Sequence, residues 1–294
     1  MAAFTLAHLS DPHLPPLPAV RLHELLSKRV FGYLNWTRNR HKYQRREVLD
    51  ALVSDLHAQV PDHIAVTGDF VNLALEAEFE PARAWLEGVG PPDRVSIVPG
   101  NHDAYVRATQ HRLAQGCGSY FIGDDAPAPR FPFLRRRGPL ALIGVSSAVP
   151  TPPLMATGWL GRQQRDELEK LLDLIAAEPL FRILLIHHPL RSQARAKRLT
   201  DSQELLALLK RRGVDLVLHG HDHVHSTIWI DGPERNIPVV GVPSASALAH
   251  GHYPAAAYNL FSIARDGNAW KCQQTVRGLD SKRRIIELRK VKLI

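Results

Sequence analysis

Five short apolar stretches of this sequence each end in side chains that can bind a metal ion. The five endings are Asp11-Pro12-His13, Gly68-Asp69, Gly100-Asn101-His102-Asp103, His187-His188-Pro189 and His219-Gly220-His221. The apolar stretches predict buried strands, and open α/β sheets bind their ligands at the carboxyl ends of the strands. We therefore expect these side chains to meet at one edge of the fold.

The donor types indicate which ions would bind there. Seven candidate ligands mix carboxylate, amide and imidazole donors: Asp11, His13, Asp69, Asn101, His187, His219 and His221. This mixture suits Mn²⁺, Fe²⁺, Co²⁺ or Zn²⁺, and not Ca²⁺. Seven ligands are too many for one ion, but they fit two ions about 3.5–4 Å apart that share a carboxylate. Such a pair lowers the pKa of a trapped water, and the resulting hydroxide attacks phosphorus in line with the leaving oxygen.

Residues next to these ligands are candidates for catalysis and for binding the substrate. His102 adjoins Asn101, so it is free to act as a general acid or to place charge on the phosphoryl oxygens. Asn72 lies three residues after Asp69 and is a candidate for binding substrate oxygens, as are Asn101 and His102; a plain turn residue is the alternative for Asn72.

Composition sets the class of protein. The chain has 294 residues, of which 45% are hydrophobic, so it can bury a large core. Its two cysteines argue against a disulfide framework and suit a reducing compartment. We see no signal peptide and no apolar run of the roughly 20 residues that a membrane span needs. We therefore expect a cytoplasmic protein, with peripheral attachment to the inner face of the membrane left open.

Positive charge is concentrated near the N-terminus. The chain carries a formal charge of +8, and residues 21–46 contain eight Lys/Arg against Glu24 alone, a local net charge of 8 − 1 = +7. Apolar residues recur at helical spacing from Leu22 to Leu34, and Phe31 and Trp36 add aromatic surface. We expect residues 15–44 to be an inserted basic, amphipathic segment that caps the site, contacts an anionic membrane or packs on the body. A solvated basic loop is the plainer alternative.

Strands and helices alternate along the rest of the chain. Helices are predicted at 45–60, 75–88, 160–177 and 203–212, and the part after residue 221 predicts strands at 225–230, 237–242, 258–263 and 269–276. Residues 105–137 predict a short helix and a proline-bearing loop, and the basic run after Lys282 predicts a strand edge or a tail. We expect one domain over 1–294, a four-layer α/β/β/α sandwich of two mixed sheets with a β-rich part at 225–294. A doubly wound sheet with a small β appendage is the competing architecture.

The ordered blocks over residues 4–225 resemble the calcineurin-like metallophosphoesterases. No arginine appears between Asp69 and Arg83, so the chain is most similar to the bacterial class III cyclic-nucleotide phosphodiesterase-like branch and unlike protein phosphatases. The resemblance implies two metal ions, with manganese and iron preferred, in two ligand sets that share Asp69. The first set is Asp11, His13, Asp69 and His221, and the second is Asp69, Asn101, His187 and His219.

The resemblance leaves the substrate open. A phosphodiester or related bond in a small or lipid-linked phosphate compound is our first expectation. The alternatives are the pyrophosphate bond of a UDP-linked acylated sugar, as in lipid A biosynthesis, and then a nucleic acid, which we rank third because aromatic platforms for bases are not obvious. A catalytically silent metal-binding scaffold is disfavoured, because no predicted ligand is missing. His188 competes with His187 as a ligand, whereas surface or structural roles are expected for His223 and His225.

Overall fold

The protein has four layers: helices, a first β-sheet, a second β-sheet and helices. The computed structural model describes residues 3–267 and 269–294. Its strands are β1 (Phe4–Leu9), β2 (His63–Val66), β3 (Val95–Ile97), β4 (Phe133–Arg137), β5 (Leu140–Gly144), β6 (Phe181–Leu185), β7 (Leu216–His219), β8 (Ser226–Ile230), β9 (Ile237–Gly241), β10 (Ala257–Asp266), β11 (Ala269–Leu279) and β12 (Ile285–Lys292). The helices are α1 (Arg29–Arg38), α2 (Arg46–Ala58), α3 (Glu76–Val89), α4 (Arg112–Cys117), α5 (Arg162–Leu174) and α6 (Ser202–Arg212).

The strands form two mixed sheets of six. The first has the order β12-β11-β10-β1-β2-β3, and the second has the order β4-β5-β6-β7-β9-β8. Within the first sheet β1, β2 and β3 are parallel, and within the second β5, β6, β7 and β9 are parallel. The parallel strands thus carry their carboxyl ends, and the residues that follow them, to one edge of each sheet.

Side-chain alternation explains why the sheets stack. On β5, Leu140 and Leu142 belong to the core shared by both sheets, whereas Ala141 and Ile143 belong to a second cluster with Leu168 of α5. Successive strand side chains point to opposite faces, so one face of the second sheet meets the first sheet and the other meets α5 and α6. Helices α2 and α3 contribute to the shared cluster from the other side. The predicted α/β fold of two mixed sheets flanked by helices is confirmed.

Two segments differ from the sequence-based expectations. Residues 133–137 were expected in a loop but form edge strand β4, paired with β5. The run of arginines does not predict a buried strand, because arginine is usually exposed. Here Arg135 is buried and donates to the carbonyls of Ile122 and Val95, both at 2.8 Å. Of the C-terminal basic residues, Arg289 and Lys290 lie in the edge strand β12, as one of the two alternatives predicted, whereas residues 282–284 precede that strand.

The inserted segment is helical only in part. A short 3₁₀ turn covers Leu22–Leu25, and α1 begins at Arg29. The predicted apolar stripe is not buried, since Leu22 and Leu26 are 87% and 86% exposed. Among the described residues, no helix is long and apolar enough to cross a membrane.

Candidate metal centre

The loops after β1, β2 and β7 bend sharply so that their side chains face one another. Asp11, Asp69, His221 and His223 all adopt positive φ, at 53°, 57°, 71° and 56°. A non-glycine residue rarely adopts this conformation, and such residues concentrate at functional sites. The Asp11 amide donates to the Gly68 carbonyl at 2.9 Å, which joins the first two loops. Backbone geometry therefore aims these side chains at a common point.

Asp103 holds the Asp69 loop in place. Its buried carboxylate accepts hydrogen bonds from four backbone amides, at 2.7 Å from Gly100, 2.9 Å from Asp69, 2.8 Å from Phe70 and 3.2 Å from Val71. Burial and the neighbouring Asp69 raise the pKa of Asp103 to about 7, while the amide donors favour its ionised form. The Gly-Asn-His-Asp block thus supplies a structural brace as well as candidate ligands.

One group of potential ligands lies around Asp11. Ligand atoms of Asp11, His13, Asp69 and His223 all lie within 4.8 Å of one another. The Nε2 atom of His223 is 3.1 Å from Asp11 Oδ1 and 3.2 Å from His13 Nε2. His13 Nε2 is in turn 3.6 Å from Asp69 Oδ2. Two carboxylates and two imidazoles suit a borderline divalent ion.

A second group lies on the other side of Asp69. It contains Asp69, His187 and His221. His187 Nε2 is 3.3 Å from Asp69 Oδ2, 3.3 Å from His221 Nδ1 and 3.2 Å from Asn101 Oδ1. The same oxygen of Asp69 therefore serves both groups.

Hydrogen bonds on the far ring nitrogens prepare two of these histidines to bind an ion. His13 Nδ1 lies 3.2 Å from the Val71 carbonyl oxygen, and His187 Nδ1 lies 2.6 Å from that of Thr67. A carbonyl only accepts, so each Nδ1 carries a proton and each Nε2 is the ring nitrogen that faces the cluster. His13 Nε2 lies 3.2 Å from His223 Nε2, and His187 Nε2 lies 3.3 Å from His221 Nδ1, an arrangement that a shared cation satisfies. The donor set therefore fits the two ions expected from the sequence.

The electrostatics of the cluster favour positive charge. Burial lowers the pKa of His187, but the Asp69 carboxylate more than offsets this and raises it to about 10. Burial and the nearby Arg40 keep the pKa of His13 well below its ordinary value, so this imidazole is neutral. Two buried carboxylates thus attract a cation while His13 stays available as a neutral donor.

Six of the seven predicted ligands lie at this cluster, and His219 does not. The side chain of His219 turns away, with Nδ1 at 2.9 Å from the Gly220 carbonyl oxygen and Nε2 at 3.4 Å from Ser226 Oγ. His221, predicted beside Asp11 and His13, instead joins His187. The predicted placement of His219 and His221 is corrected accordingly. His188 also points elsewhere, with Nδ1 at 2.7 Å from Ser147 Oγ, so His187 is the better ligand candidate.

His223, expected to be a surface or structural residue, occupies the position beside Asp11. The signal that finds it is the Gly-His-x-His spacing of residues 220–223, read from Gly220 forward. A Cβ on Gly220 would overlap Ser10 Oγ and Asp11 Oδ2. Glycine is therefore required for the loop after β7 to pass this close to the loop after β1. This close approach brings His221 and His223 into the two ligand groups.

His102 lies at the mouth of the cluster. Its backbone amide donates to Asp69 Oδ1 at 2.7 Å, and its Nδ1 donates to the Asn72 carbonyl. Tyr105 stacks on the ring, with centroids 5.2 Å apart. Burial lowers the pKa of His102 to about 4, and Arg40 adds to this, with Nη2 at 3.4 Å from His102 Nε2. The Nε2 atom thus faces the cleft together with a guanidinium from the inserted segment.

Asn72, predicted to bind substrate oxygens, acts here through its backbone. Its side-chain Nδ2 donates to the Leu14 carbonyl at 3.2 Å, and its amide donates to Glu78 Oε1 at 2.6 Å. Its carbonyl fixes His102. The side-chain oxygen of Asn72 is buried and has no partner among the residues the structure describes. Besides His223, sequence reasoning missed Arg40, whose place at the site depends on how the inserted segment folds back.

Comparisons with known proteins identify the family of this chain. Residues 4–225 match the model of the calcineurin-like phosphoesterase family. A curated relative, a probable cyclic nucleotide phosphodiesterase from Synechococcus sp., is 28% identical over 179 residues, 59% of this chain and 62% of that protein. The match therefore spans about three fifths of the length of the relative.

Solved structures share the fold at low identity. A dimetal phosphatase from Danio rerio superposes with a TM-score of 0.63 at 14% identity over 99% of both chains. Purple acid phosphatase PPD1 from Lupinus luteus gives 0.61 at 14% identity, over 97% of this chain and 53% of that one. The family match covers most of the chain and confirms the family predicted from the ordered motifs. The chain belongs to the calcineurin-like phosphoesterases.

Proposed function

We propose that this protein hydrolyses phosphate esters at a centre of two metal ions that share Asp69. The observation that carries the proposal is the position of one oxygen, Asp69 Oδ2, which lies 3.6 Å from His13 Nε2 and 3.3 Å from His187 Nε2. In the proposed ligand sets, one ion is held by Asp11, His13, Asp69 and His223, and the other by Asp69, Asn101, His187 and His221. The donor types admit Mn²⁺, Fe²⁺, Co²⁺ or Zn²⁺, and we propose manganese and iron first on the family resemblance.

When bound, the two ions would lower the pKa of a water nucleophile and neutralise charge on the phosphoryl oxygens. Side chains of the protein add positive charge on the opposite side of the substrate. Arg40 and His102 lie on the open side of the cluster, where a phosphoryl group would meet Nη2 and Nε2. We assign them to binding the phosphoryl oxygens. The negative charge of a bound phosphoryl group favours the imidazolium form of His102, whose Nε2 then donates toward the leaving oxygen. The Asn72 carbonyl and the Tyr105 ring keep this imidazole in position.

A phosphodiester is the bond we propose first. The support is the 28% identity to a probable cyclic nucleotide phosphodiesterase and the lack of an arginine directly after Asp69. A silent metal-binding scaffold is disfavoured, because both ligand groups are complete and His102 is in place beside them.

The test compares Mn²⁺-supplemented hydrolysis of bis-p-nitrophenyl phosphate, p-nitrophenyl phosphate and cyclic AMP. We expect turnover of diesters above the monoester, abolished by EDTA and absent in Asp69→Asn. Turnover of the monoester alone would contradict the diester proposal. Metal-independent turnover, or no turnover of any ester, would contradict the proposed chemistry.

A further inference from the structure

A second cavity adjoins the metal site. The metal cleft, about 250 Å³, is bordered by Asp69, His102, His221 and His223. The side cleft, about 330 Å³, lies between α1 and residues 154–156. Arg40, His102 and Lys197 border both cavities, so the two cavities adjoin where these cationic side chains lie.

The walls of the side cleft are largely apolar. Phe31 and Trp36 of α1 face Leu73, Leu154 and Met155 across it. Phe31 is 47% exposed and Met155 is 39% exposed, which leaves apolar surface uncovered inside a cavity. Lys28 spans the roof, with Nζ at 3.0 Å from Thr151 Oγ1 and 4.2 Å from the centre of the Tyr105 ring. The side cleft therefore combines largely apolar walls with cationic side chains, Lys28 within it and Arg40 and Lys197 where it adjoins the metal cleft.

We propose that the substrate is an amphiphilic phosphate ester, with its phosphoryl group in the metal cleft and an apolar chain in the side cleft. This inference rests on the proposed hydrolase function and adds the substrate class. An anion meets Arg40 and Lys197 at the junction, and a chain leaving it would cover the exposed faces of Phe31 and Met155. A nucleobase fits less well, because the Tyr105 ring is already covered by Lys28 and His102.

The two chain segments that supply Phe31 and Met155 to the side cleft also carry other exposed apolar side chains. Seven of the twelve large apolar side chains that are exposed among the described residues lie on residues 22–34 and 154–159. They are Leu22, Leu26, Phe31, Leu34, Leu154, Met155 and Trp159. Residues 21–46, which include the first of these segments, carry a net charge of +7. Exposed apolar side chains together with positive charge suit the anionic surface of a bilayer or micelle, from which such an ester would enter.

The test uses alkyl p-nitrophenyl phosphodiesters, which share a leaving group and differ in chain length. Below the critical micelle concentration, we expect kcat/KM to rise at least about tenfold from the methyl to the octyl ester. Phe31→Ser and Met155→Ser should each lower this octyl-to-methyl ratio by about threefold or more. Leu288→Ser, which alters a 45% exposed leucine on β12, is the matched control and should leave the ratio unchanged.

The outcomes distinguish failure of the amphiphile proposal from failure of the proposed hydrolase function. A ratio near one in wild type, or a raised ratio that neither cleft variant reduces, would overturn the amphiphile while the hydrolase stands. No metal-dependent hydrolysis even of the methyl ester would overturn the hydrolase itself. Sedimentation with phosphatidylglycerol vesicles distinguishes the two sources of the ester. If the protein sediments with the vesicles, and salt and the double substitution Leu22→Ser/Leu26→Ser weaken this binding, the ester comes from a bilayer. If the protein stays in the supernatant, the ester is a dissolved amphiphile.

Discussion

The metal edge and the inserted segment are neighbours built on different principles. The edge is buried, and Asp11, His13 and His187 are fully enclosed. The inserted segment of residues 15–44 is mostly exposed, and α1 buries only Trp36. The segment is anchored by single contacts such as Arg29 Nε to the Leu73 carbonyl, at 2.9 Å. This difference supports the proposal that braced loops of the body bind the ions and that the inserted segment selects the substrate.

The largest effect is expected at the shared ligand. Asp69→Asn removes charge from both ligand groups at once, so hydrolysis should fall by about 10³-fold or more, a loss of several kcal/mol of transition-state stabilisation. Steady-state kinetics with saturating Mn²⁺ checks this. Activity within about tenfold of wild type would show that the metal edge is not where the chemistry occurs.

His102 joins the two regions and should come next. His102→Ala is expected to lower kcat by about 10²–10⁴-fold while the metal content stays at the wild-type level. His111→Ala, which alters an exposed histidine, is the control. Loss of metal in His102→Ala would place this residue in the ligand shell, and unchanged kcat would remove it from the reaction.

Asp103 tests how far the edge depends on its brace. Asp103→Asn replaces one acceptor oxygen with a donor facing backbone amides, so we expect metal affinity to fall about 10–100-fold and stability by about 1–3 kcal/mol. Metal titration and urea unfolding measure the two effects. If Asp103→Asn were destabilised but bound metal with wild-type affinity, Asp103 would contribute to stability and not to metal binding.

Arg40 tests the contribution of the inserted segment. Arg40→Gln should raise KM roughly tenfold, about 1.4 kcal/mol, with metal content unchanged. Arg38→Gln removes the same charge from an exposed position of the same segment and should change KM little. Equal effects of both substitutions would mean that the segment acts by overall charge rather than through the guanidinium beside His102.

The smallest effect is expected where α1 meets the body. A Cβ on Gly32 would lie 2.7 Å from Tyr105 Oη and would also overlap Leu73, whereas a Cβ on Gly88 in α3 has nothing within 4 Å. Gly88→Ala should therefore stabilise the protein by up to about 1 kcal/mol, the usual helix gain. Gly32→Ala should not, and it should alter KM by only a few-fold. Equal stabilisation by both would show that α1 does not pack closely on Leu73.

The strands that carry the ligands could be predicted because each is an apolar run ending in a polar block. Asp11, Asp69 and His187 need only that rule to be placed. The β4 strand could not be found this way, because Arg135 is buried through hydrogen bonds to carbonyls and not through apolar packing. Sequence periodicity reports hydrophobic burial and is silent on such a residue.

The exchange of His219 for His223 has a different cause. Position relative to a strand end favoured His219, but that residue still belongs to β7 and its side chain follows the sheet. The turn after Gly220 sets which imidazoles face Asp69, and the rule that ligands follow strand ends does not reveal its positive φ values at His221 and His223. Arg40 was missed for a similar reason, since a contact between residues 40 and 102 depends on tertiary folding.

The most direct test of the two-ion centre is the metal-to-protein ratio of Mn²⁺-loaded wild type, His223→Ala and His219→Gln, measured by inductively coupled plasma mass spectrometry after gel filtration. We predict about two ions per chain in wild type, about one in His223→Ala, and the wild-type value in His219→Gln. One ion in wild type, or a loss in His219→Gln with none in His223→Ala, would contradict the shared-carboxylate centre described above.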